Sequence, residues 1–281
     1  MKKTVISRYL SQATFDAVKK DFGFLIDKIK QSGFEYSLQI RDDYLNLYYK
    51  GNSLGKITYK KASKQYEVRV NYQFVEDFPF IVNRFDNSRK KYDVLFTLSS
   101  GQLHPFFSTK NLSSMAQKVK EVQFQEEIVF EQMLLTDNAN RDDLIIIDRQ
   151  VVDRGSDTKM DILALKKKEA DKYRFCVLEV KLGNNKELKD KVFTQLEEYT
   201  KRITDNFRQY KECYENNFLQ KQKLGLMPEG LKVDIVEGVL GFVVVGGYSG
   251  LAEQSIKELK AKHPDIKILQ IKNEIDFSKA K

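Results

Sequence analysis

The sequence predicts an α+β module with an antiparallel sheet in residues 1–118 and an α/β domain in residues 119–281. Short runs with period-two alternation of apolar residues dominate the first part, which is typical of half-buried strands. The second part has the order α-β-β-β-α-β-α-β, which is typical of a mixed sheet flanked by helices. Charge changes at the same place. Residues 1–118 hold 20 Lys and Arg against 11 Asp and Glu. The whole chain has 48 Lys and Arg and 40 Asp and Glu, so residues 119–281 hold the remaining 28 against 29.

The bulk composition narrows the class of protein. The chain has 281 residues, is 41% hydrophobic and carries a net charge of +8. It has no apolar run of the roughly 18 residues that a membrane span requires, and its first residues lack the apolar stretch of a signal peptide. Cys176 and Cys213 lack metal-ligand spacing, and His104 and His263 are isolated. We therefore expect a reduced, cytoplasmic protein with no membrane partner, no zinc site and no histidine-based nucleophile.

The elements of the first module follow from its apolar periodicity. Residues 14–31 predict one helix with Gly33 as its C-cap, and four strands follow at 34–40, 44–49, 56–59 and 66–74, with turns at 50–52 and 52–55. Residues 77–118 are less regular, and we interpret them as the tail of the first domain and the connection to the second. The tyrosines of this basic module suggest stacking on nucleic-acid bases, although tyrosines on a half-buried sheet face explain them equally well: Tyr44, Tyr48, Tyr49, Tyr59, Tyr66 and Tyr72.

Apolar periodicity predicts the elements of the second domain as well. We expect a helix at 119–135, a strand at 144–152, and a hairpin of strands 160–165 and 173–182 joined by a turn at 166–172. A long helix begins near Glu187 and runs past Tyr214. A continuously apolar strand at 239–245, a helix at 251–262 and a strand at 266–271 complete the domain.

The most informative residues are Asp161, Glu179 and Lys181. A hairpin centred on Ala170 sets Leu165 opposite Phe175, and the same register brings Asp161 opposite Glu179. Because side chains alternate along a strand, Lys181 shares their face. Two carboxylates about 5 Å apart repel each other unless a cation bridges them. Hard divalent cations prefer such carboxylates together with water and phosphate oxygens. The alternative is a half-exposed strand end with a solvated ion pair.

These residues resemble the PD-(D/E)XK nuclease superfamily, also called restriction-endonuclease-like. The resemblance covers roughly residues 120–246 and includes the α-β-β-β-α-β core, Met160-Asp161, Glu179-Val180-Lys181 and a later helix with Gln195 and Tyr199. Met160 replaces the family proline. The resemblance implies a restriction-endonuclease-like fold and hydrolysis of phosphodiester bonds with Mg²⁺ or Mn²⁺.

The resemblance also implies roles for individual residues. Asp161, Glu179 and the Val180 carbonyl would bind the metal, and Lys181 would orient the attacking water and stabilise the developing charge. Gln195 would hold the site, with Tyr199 packing beside it or serving only in the helix core. An acid from the first core helix would join the site, with candidates Glu126, Glu127 and Glu131, of which Glu127 is preferred.

The function most consistent with this reading is a metal-dependent endodeoxyribonuclease, in DNA repair, restriction or phage defence. The alternatives are a non-catalytic nucleic-acid-binding or assembly protein with the same fold, and a nuclease that acts on RNA. A homodimer is compatible with each. Two weaker patterns have two interpretations each. Residues 166–168 (KKK) form a turn beside the site, which either contacts a DNA backbone or is merely solvated. Residues 246–250 (GGYSG) form either a plain strand-to-helix turn or a phosphate cradle.

Overall fold

The computed structural model describes residues 5–75, 84–86, 93–122, 125–154, 159–274 and 278. The chain forms two compact units. Unit 1 comprises Met1–Gln132 and Glu212–Lys232, and unit 2 comprises Met133–Lys211 and Val233–Lys281. The predicted domain division after residue 118 stays a prediction. The described residues are mixed α and β with one antiparallel and one mixed sheet, which confirms the fold class at this level.

Unit 1 begins with two helices rather than the single predicted helix over residues 14–31. Helix α1 is Gln12–Asp21 and α2 is Gly23–Gln31. The chain leaves helical geometry at Phe22, whose φ is −109° and ψ 6°. The prediction missed the break because the apolar stripe continues across it: Phe22, Leu25 and Ile26 are all buried in the same core.

Among the described residues, the sheet of unit 1 has six strands in the order β1-β2-β3-β4-β6-β5, and every pairing between them is antiparallel. The strands are β1 Tyr36–Ile40, β2 Leu45–Tyr49, β3 Asn52–Lys60, β4 Gln65–Asn71, β5 Arg84–Asp86 and β6 Asp93–Leu98. Lys50 and Gly51 alone turn β2 into β3, with φ of 42° and 85°. This left-handed pair is typical of a two-residue hairpin turn. The predicted turn at 52–55 is wrong, because these residues form the start of β3.

The irregularity predicted for residues 77–118 is also wrong within their described part. That part contains β5 and β6, helix α3 Ser100–Phe106 and most of helix α4 Thr109–Val122. Its remaining residues, 77–83 and 87–92, lie outside the described residues. The helix predicted at 119–135 is instead the end of α4 and a separate helix α5, Glu126–Asp137. Residues 123–124 between them are not described.

Unit 2 contains a mixed sheet of five strands in the order β11-β10-β9-β8-β7. The strands are β7 Leu144–Val152, β8 Lys159–Glu169, β9 Lys172–Leu182, β10 Asp234–Gly246 and β11 Ile268–Ile271. Strands β7, β8 and β9 are antiparallel neighbours, whereas β9, β10 and β11 run parallel. The single long helix predicted from Glu187 is instead a 3₁₀ turn Lys186–Lys189, helix α6 Val192–Asp205 and helix α7 Phe207–Lys223, and α8 is Ser249–Lys262.

The β8–β9 hairpin has the predicted register, with Leu165 opposite Phe175 and Leu163 opposite Val177. Its turn is shorter than predicted, because both strands continue to the pair Glu169–Lys172 and only residues 170–171 turn. The lysines at 166–168 therefore belong to β8. They begin five residues from Asp161, which is about 16 Å along a strand. The reading of these lysines as a turn beside the site is wrong.

The helices of the described residues give no candidate for a membrane span. None of them is both long enough and apolar enough to cross a bilayer.

Candidate functional site

The site lies at the end of the β8–β9 hairpin that is opposite its turn. Ile162 and Leu178 form the last backbone pair between the two strands. Beyond it, the backbone N–H of Val180 donates a hydrogen bond of 2.9 Å to Oδ2 of Asp161. A side-chain carboxylate thus accepts the hydrogen bond that the backbone of β8 would otherwise accept. This bond fixes the direction of the Asp161 side chain.

Glu179 and Lys181 are two residues apart on β9 and share the face of Asp161, as the alternation predicts. Nζ of Lys181 donates a hydrogen bond of 2.8 Å to Oε1 of Glu179 and lies 3.7 Å from Oδ2 of Asp161. The three residues are 7%, 1% and 4% exposed for Asp161, Glu179 and Lys181. Charged groups this well buried are costly unless they are paired. The structure brings these three predicted residues together.

The Lys181 ammonium shows that the two carboxylates can share a cation. Both oxygens lie within hydrogen-bonding or ion-pair distance of one nitrogen, so they are at most 6.5 Å apart, the sum of the two distances. Mg²⁺ binds through one or two carboxylates and completes its shell with water and phosphate oxygens. The donor chemistry therefore fits Mg²⁺ or Mn²⁺. Within the described residues, no three His, Cys, Asp or Glu side chains form a metal-binding group by themselves.

Gln195 and Tyr199 lie on α6, one turn apart, so they share a helix face. The Tyr199 hydroxyl donates a hydrogen bond of 3.0 Å to the carbonyl of Lys159, two residues before Asp161. Tyr199 thus ties α6 to the start of β8. The side-chain oxygen Oε1 of Gln195 is buried, and no described group hydrogen-bonds to it. This oxygen has the capacity to accept a hydrogen bond.

The predicted helix acids lie on α5, in the part of that helix that belongs to unit 1. Glu126 is exposed, Glu127 is half-buried and Glu131 is only 1% exposed. Asp161, Glu179, Lys181 and Gln195 belong to unit 2. The assignment of Glu127 to the site stays a prediction, as does the role of the Val180 carbonyl.

Sequence reasoning missed a third carboxylate near Lys181. Oε2 of Glu187 lies 3.8 Å from Nζ of Lys181. Glu187 is part of no recognisable sequence motif, and the sequence predicted it only as the start of a long helix. Its position after β9, eight residues beyond Glu179, was the one signal that could have suggested it.

Sequence reasoning also missed buried charges on β7 and just after it. Asp148 and Arg149 are 1% and 0% exposed, and Asp153 is 4% exposed. Oδ2 of Asp153 accepts a hydrogen bond of 2.6 Å from Tyr210 and lies 3.5 Å from Arg202. Charged residues inside the apolar run LIIIDRQVV were the available signal. The partners of Asp153 fit a structural role in anchoring the end of β7.

The basic face of unit 1 is the second candidate. Lys56 and Arg69 are directly opposed on β3 and β4, and Nζ of Lys56 lies 3.9 Å from the ring centroid of Tyr44. Partial burial, together with the charge of Arg69, lowers the pKa of Lys56. Like charges directly opposed on a sheet are unfavourable, and an anion would relieve this repulsion. Three of the six tyrosines predicted to stack on bases have buried rings that present no face to a ligand: Tyr48, Tyr49 and Tyr66.

Comparisons of the chain with models of protein families, with curated proteins and with solved structures find no match. Two buried carboxylates and an ammonium group within 4 Å can hold a divalent cation and stabilise the charge that develops on a phosphate during hydrolysis.

Proposed function

We propose that unit 2 is a metal-dependent nuclease with a restriction-endonuclease-like core, and that it hydrolyses phosphodiester bonds of DNA. The observation that carries the proposal is the convergence of Asp161, Glu179 and Lys181 in a buried site. The order of helix α5, strands β7, β8 and β9, helix α6 and strand β10 also supports it.

Each residue has a role in the proposed reaction. Asp161 and Glu179 would hold Mg²⁺ or Mn²⁺, with the Val180 carbonyl as a further oxygen, and Gln195 would hold the site. When bound, the cation would lower the pKa of a water molecule and neutralise charge on the phosphate. Lys181 would donate hydrogen bonds to the attacking water and to a non-bridging phosphate oxygen. Its buried position strengthens this charge stabilisation, since water does not screen it.

Unit 1 would contribute DNA binding through its basic sheet face. Its charged and polar groups lie on the side of β3 and β4 that alternates with the buried core residues. Lysine and arginine contacts to phosphates supply affinity without sequence preference. This gives the basic first half of the chain a function beside a nearly neutral second half.

The test is cleavage of single-stranded, duplex and branched DNA with Mg²⁺ or Mn²⁺ by the full chain. We expect Asp161→Asn and Lys181→Met to lower the cleavage rate by about 10²-fold or more, as loss of a group that stabilises transition-state charge does. Glu169→Gln is the matched control, because Glu169 is an exposed acid at the other end of the same hairpin. It should cleave at the wild-type rate.

The outcomes separate the competing readings. Cleavage that is equal in the wild type, Asp161→Asn and Lys181→Met would refute the site. DNA retention with strong salt dependence and no metal-dependent product would favour the non-catalytic binding protein. Faster cleavage of an RNA of matched sequence would identify RNA as the substrate. Loss of cleavage in Glu127→Gln, but not in Glu126→Gln or Glu131→Gln, is expected if Glu127 is the helix acid of the site.

A further inference from the structure

Glu187 occupies the solvent side of the buried charge cluster. Its backbone N–H donates a hydrogen bond of 2.9 Å to Oδ1 of Asn185, which fixes the 3₁₀ turn that carries it. Oε2 of Glu187 lies 3.8 Å from Nζ of Lys181, and Oε1 lies 3.7 Å from Nζ of the exposed Lys191. The Glu187 side chain is 38% exposed, against 10% for Asp161 and 1% for Glu179. Glu187 is thus the most accessible of three carboxylates around one ammonium group.

The position of Lys181 raises a conflict for cation binding. Its ammonium lies against Glu179 and close to Asp161, which are the two carboxylates proposed to hold the divalent cation. Two cations cannot share this space, because like charges at such a separation in a poorly hydrated site repel strongly. The ammonium must therefore move when the cation binds. A lysine side chain has the flexible stem to do so, but a buried charge needs a new partner at its new position.

We propose that Glu187 is a positioning residue that receives the Lys181 ammonium when a divalent cation takes Asp161 and Glu179. The inference rests on the proposed function in that it requires the cation. A shift toward Glu187 is a shift toward the accessible side of the cluster, where a phosphate would approach. Glu187 thereby links cation binding to the placement of Lys181 beside the substrate, without binding the cation itself.

The test is Mn²⁺ binding to the full chain, measured by electron paramagnetic resonance of the free ion, with no substrate present. Four proteins are compared: the wild type, Glu187→Gln, Lys181→Met and the double variant. We expect Glu187→Gln to weaken Mn²⁺ binding about threefold, the scale of one half-exposed ion pair. Lys181→Met should bind Mn²⁺ more tightly than the wild type, since the competing ammonium is gone. In the Lys181→Met background, Glu187→Gln should then weaken Mn²⁺ binding by less than half of its effect in the wild type.

The alternative is that Glu187 binds the cation directly. In that case Glu187→Gln weakens Mn²⁺ binding equally with and without Lys181, and this result would overturn the proposal. A Glu187→Gln variant with wild-type affinity would overturn it as well. Glu169→Gln is the control for loss of a surface acid and should leave the affinity unchanged.

A second measurement keeps the proposal testable if Lys181→Met does not fold. Water-proton relaxation counts the water molecules bound directly to Mn²⁺. The proposal requires equal counts in the wild type and Glu187→Gln, whereas direct binding by Glu187 requires one more water in the variant. The two proposals fail separately: the expected Mn²⁺ pattern without DNA cleavage refutes only the nuclease, and cleavage without that pattern refutes only the role of Glu187.

Discussion

Replacing Lys181 with methionine tests whether the charge cluster is a cation site. Methionine keeps much of the side-chain length and removes the ammonium. Glu179 and Asp161 then remain buried, beside each other and without the cation that the lysine supplies. The substitution should strongly destabilise the protein, and a divalent cation should restore part of the loss.

The magnitude follows from burial. Lys181 is 4% exposed and ion-paired at 2.8 Å with a carboxylate that is itself 1% exposed. Removing one partner of such a buried pair costs about 3–5 kcal/mol. Lys166→Met is the matched control. Nζ of Lys166 lies even closer to its partner, 2.6 Å from Oδ2 of Asp143, but both side chains are 39% exposed. An exposed pair contributes about 0–1 kcal/mol. Burial, not distance, should decide the difference.

Thermal unfolding followed by circular dichroism, with and without Mg²⁺, measures both effects; the chain has no tryptophan to report by fluorescence. With a Kd of about 1 mM, about 10 mM Mg²⁺ stabilises the folded state by roughly 1.4 kcal/mol. The wild type should gain less, because its own ammonium competes for the carboxylates. Equal destabilisation by Lys181→Met and Lys166→Met, or a larger Mg²⁺ effect in the wild type, would refute this reasoning.

Three further predictions concern other parts of the molecule. A Cβ on Gly183 would lie 2.5 Å from the Gly247 carbonyl oxygen, so Gly183→Ala should cost about 1–3 kcal/mol in urea unfolding, whereas Gly250→Ala, which meets open space, should not destabilise. Burial raises the pKa of Cys176 to about 12. Above pH of about 8.5, the ordinary pKa of a cysteine thiol, the unfolded chain releases a proton that the folded chain keeps, so the free energy of unfolding falls by up to ~1.4 kcal/mol per pH unit. Cys176→Ala should remove this contribution in urea unfolding measured between pH of about 8.5 and the raised pKa. Lys56→Gln should lower the salt dependence of DNA retention by about one unit of log–log slope in a filter-binding assay, and Lys64→Gln, in the β3–β4 turn, should leave it unchanged.

The site pairing was predictable because a hairpin centred on Ala170 sets the register, and period-two alternation then sets the face. Alternation alone does not select the pairing, because β8 and β9 bury residues on both of their faces. Convergence of Asp161, Glu179 and Lys181 then follows without adjustment. The extent of the hairpin did not follow from the same pattern, because the polar residues 166–169 extend the strand with half-buried and exposed side chains.

Helix breaks were not predictable, because apolar periodicity continues across them. At Phe22 and at Asn206, the chain leaves helical geometry for a single residue and resumes it, with buried residues on both sides. Apolar periodicity reports which face is buried, and both helices of each pair bury residues in core positions. The β-bulge in β7 between Ile146 and Asp148 is of the same kind. A one-residue irregularity leaves too little trace in composition.

Glu187 escaped prediction because its role depends on distance and not on spacing in the sequence. A 3₁₀ turn after β9 brings its carboxylate back to within 3.8 Å of Lys181. The Asn185 side chain that fixes this turn is a common N-terminal capping residue, but it identifies only the start of the turn.

The mixed topology of the second sheet explains why charges can gather at this end of it. Strand β9 runs parallel to β10, with Glu179 beside Val243 and Lys181 beside Val245, so both charged residues lie near the carboxyl ends of a parallel pair. Ligand sites in sheets with parallel strands are commonly found at the carboxyl ends of the strands, since the chain leaves the sheet there for loops and helices. Strand β8 runs antiparallel to β9, so the beginning of β8, which contains Asp161, lies at the same end of the sheet. The apolar pairs toward the hairpin turn hold the two strands rigidly, and the last of them ends the backbone ladder one residue before the carboxylates. The carboxylates are therefore fixed by a packed body at the end of the strands, which under the proposed function is the end where a cation and a phosphate would enter.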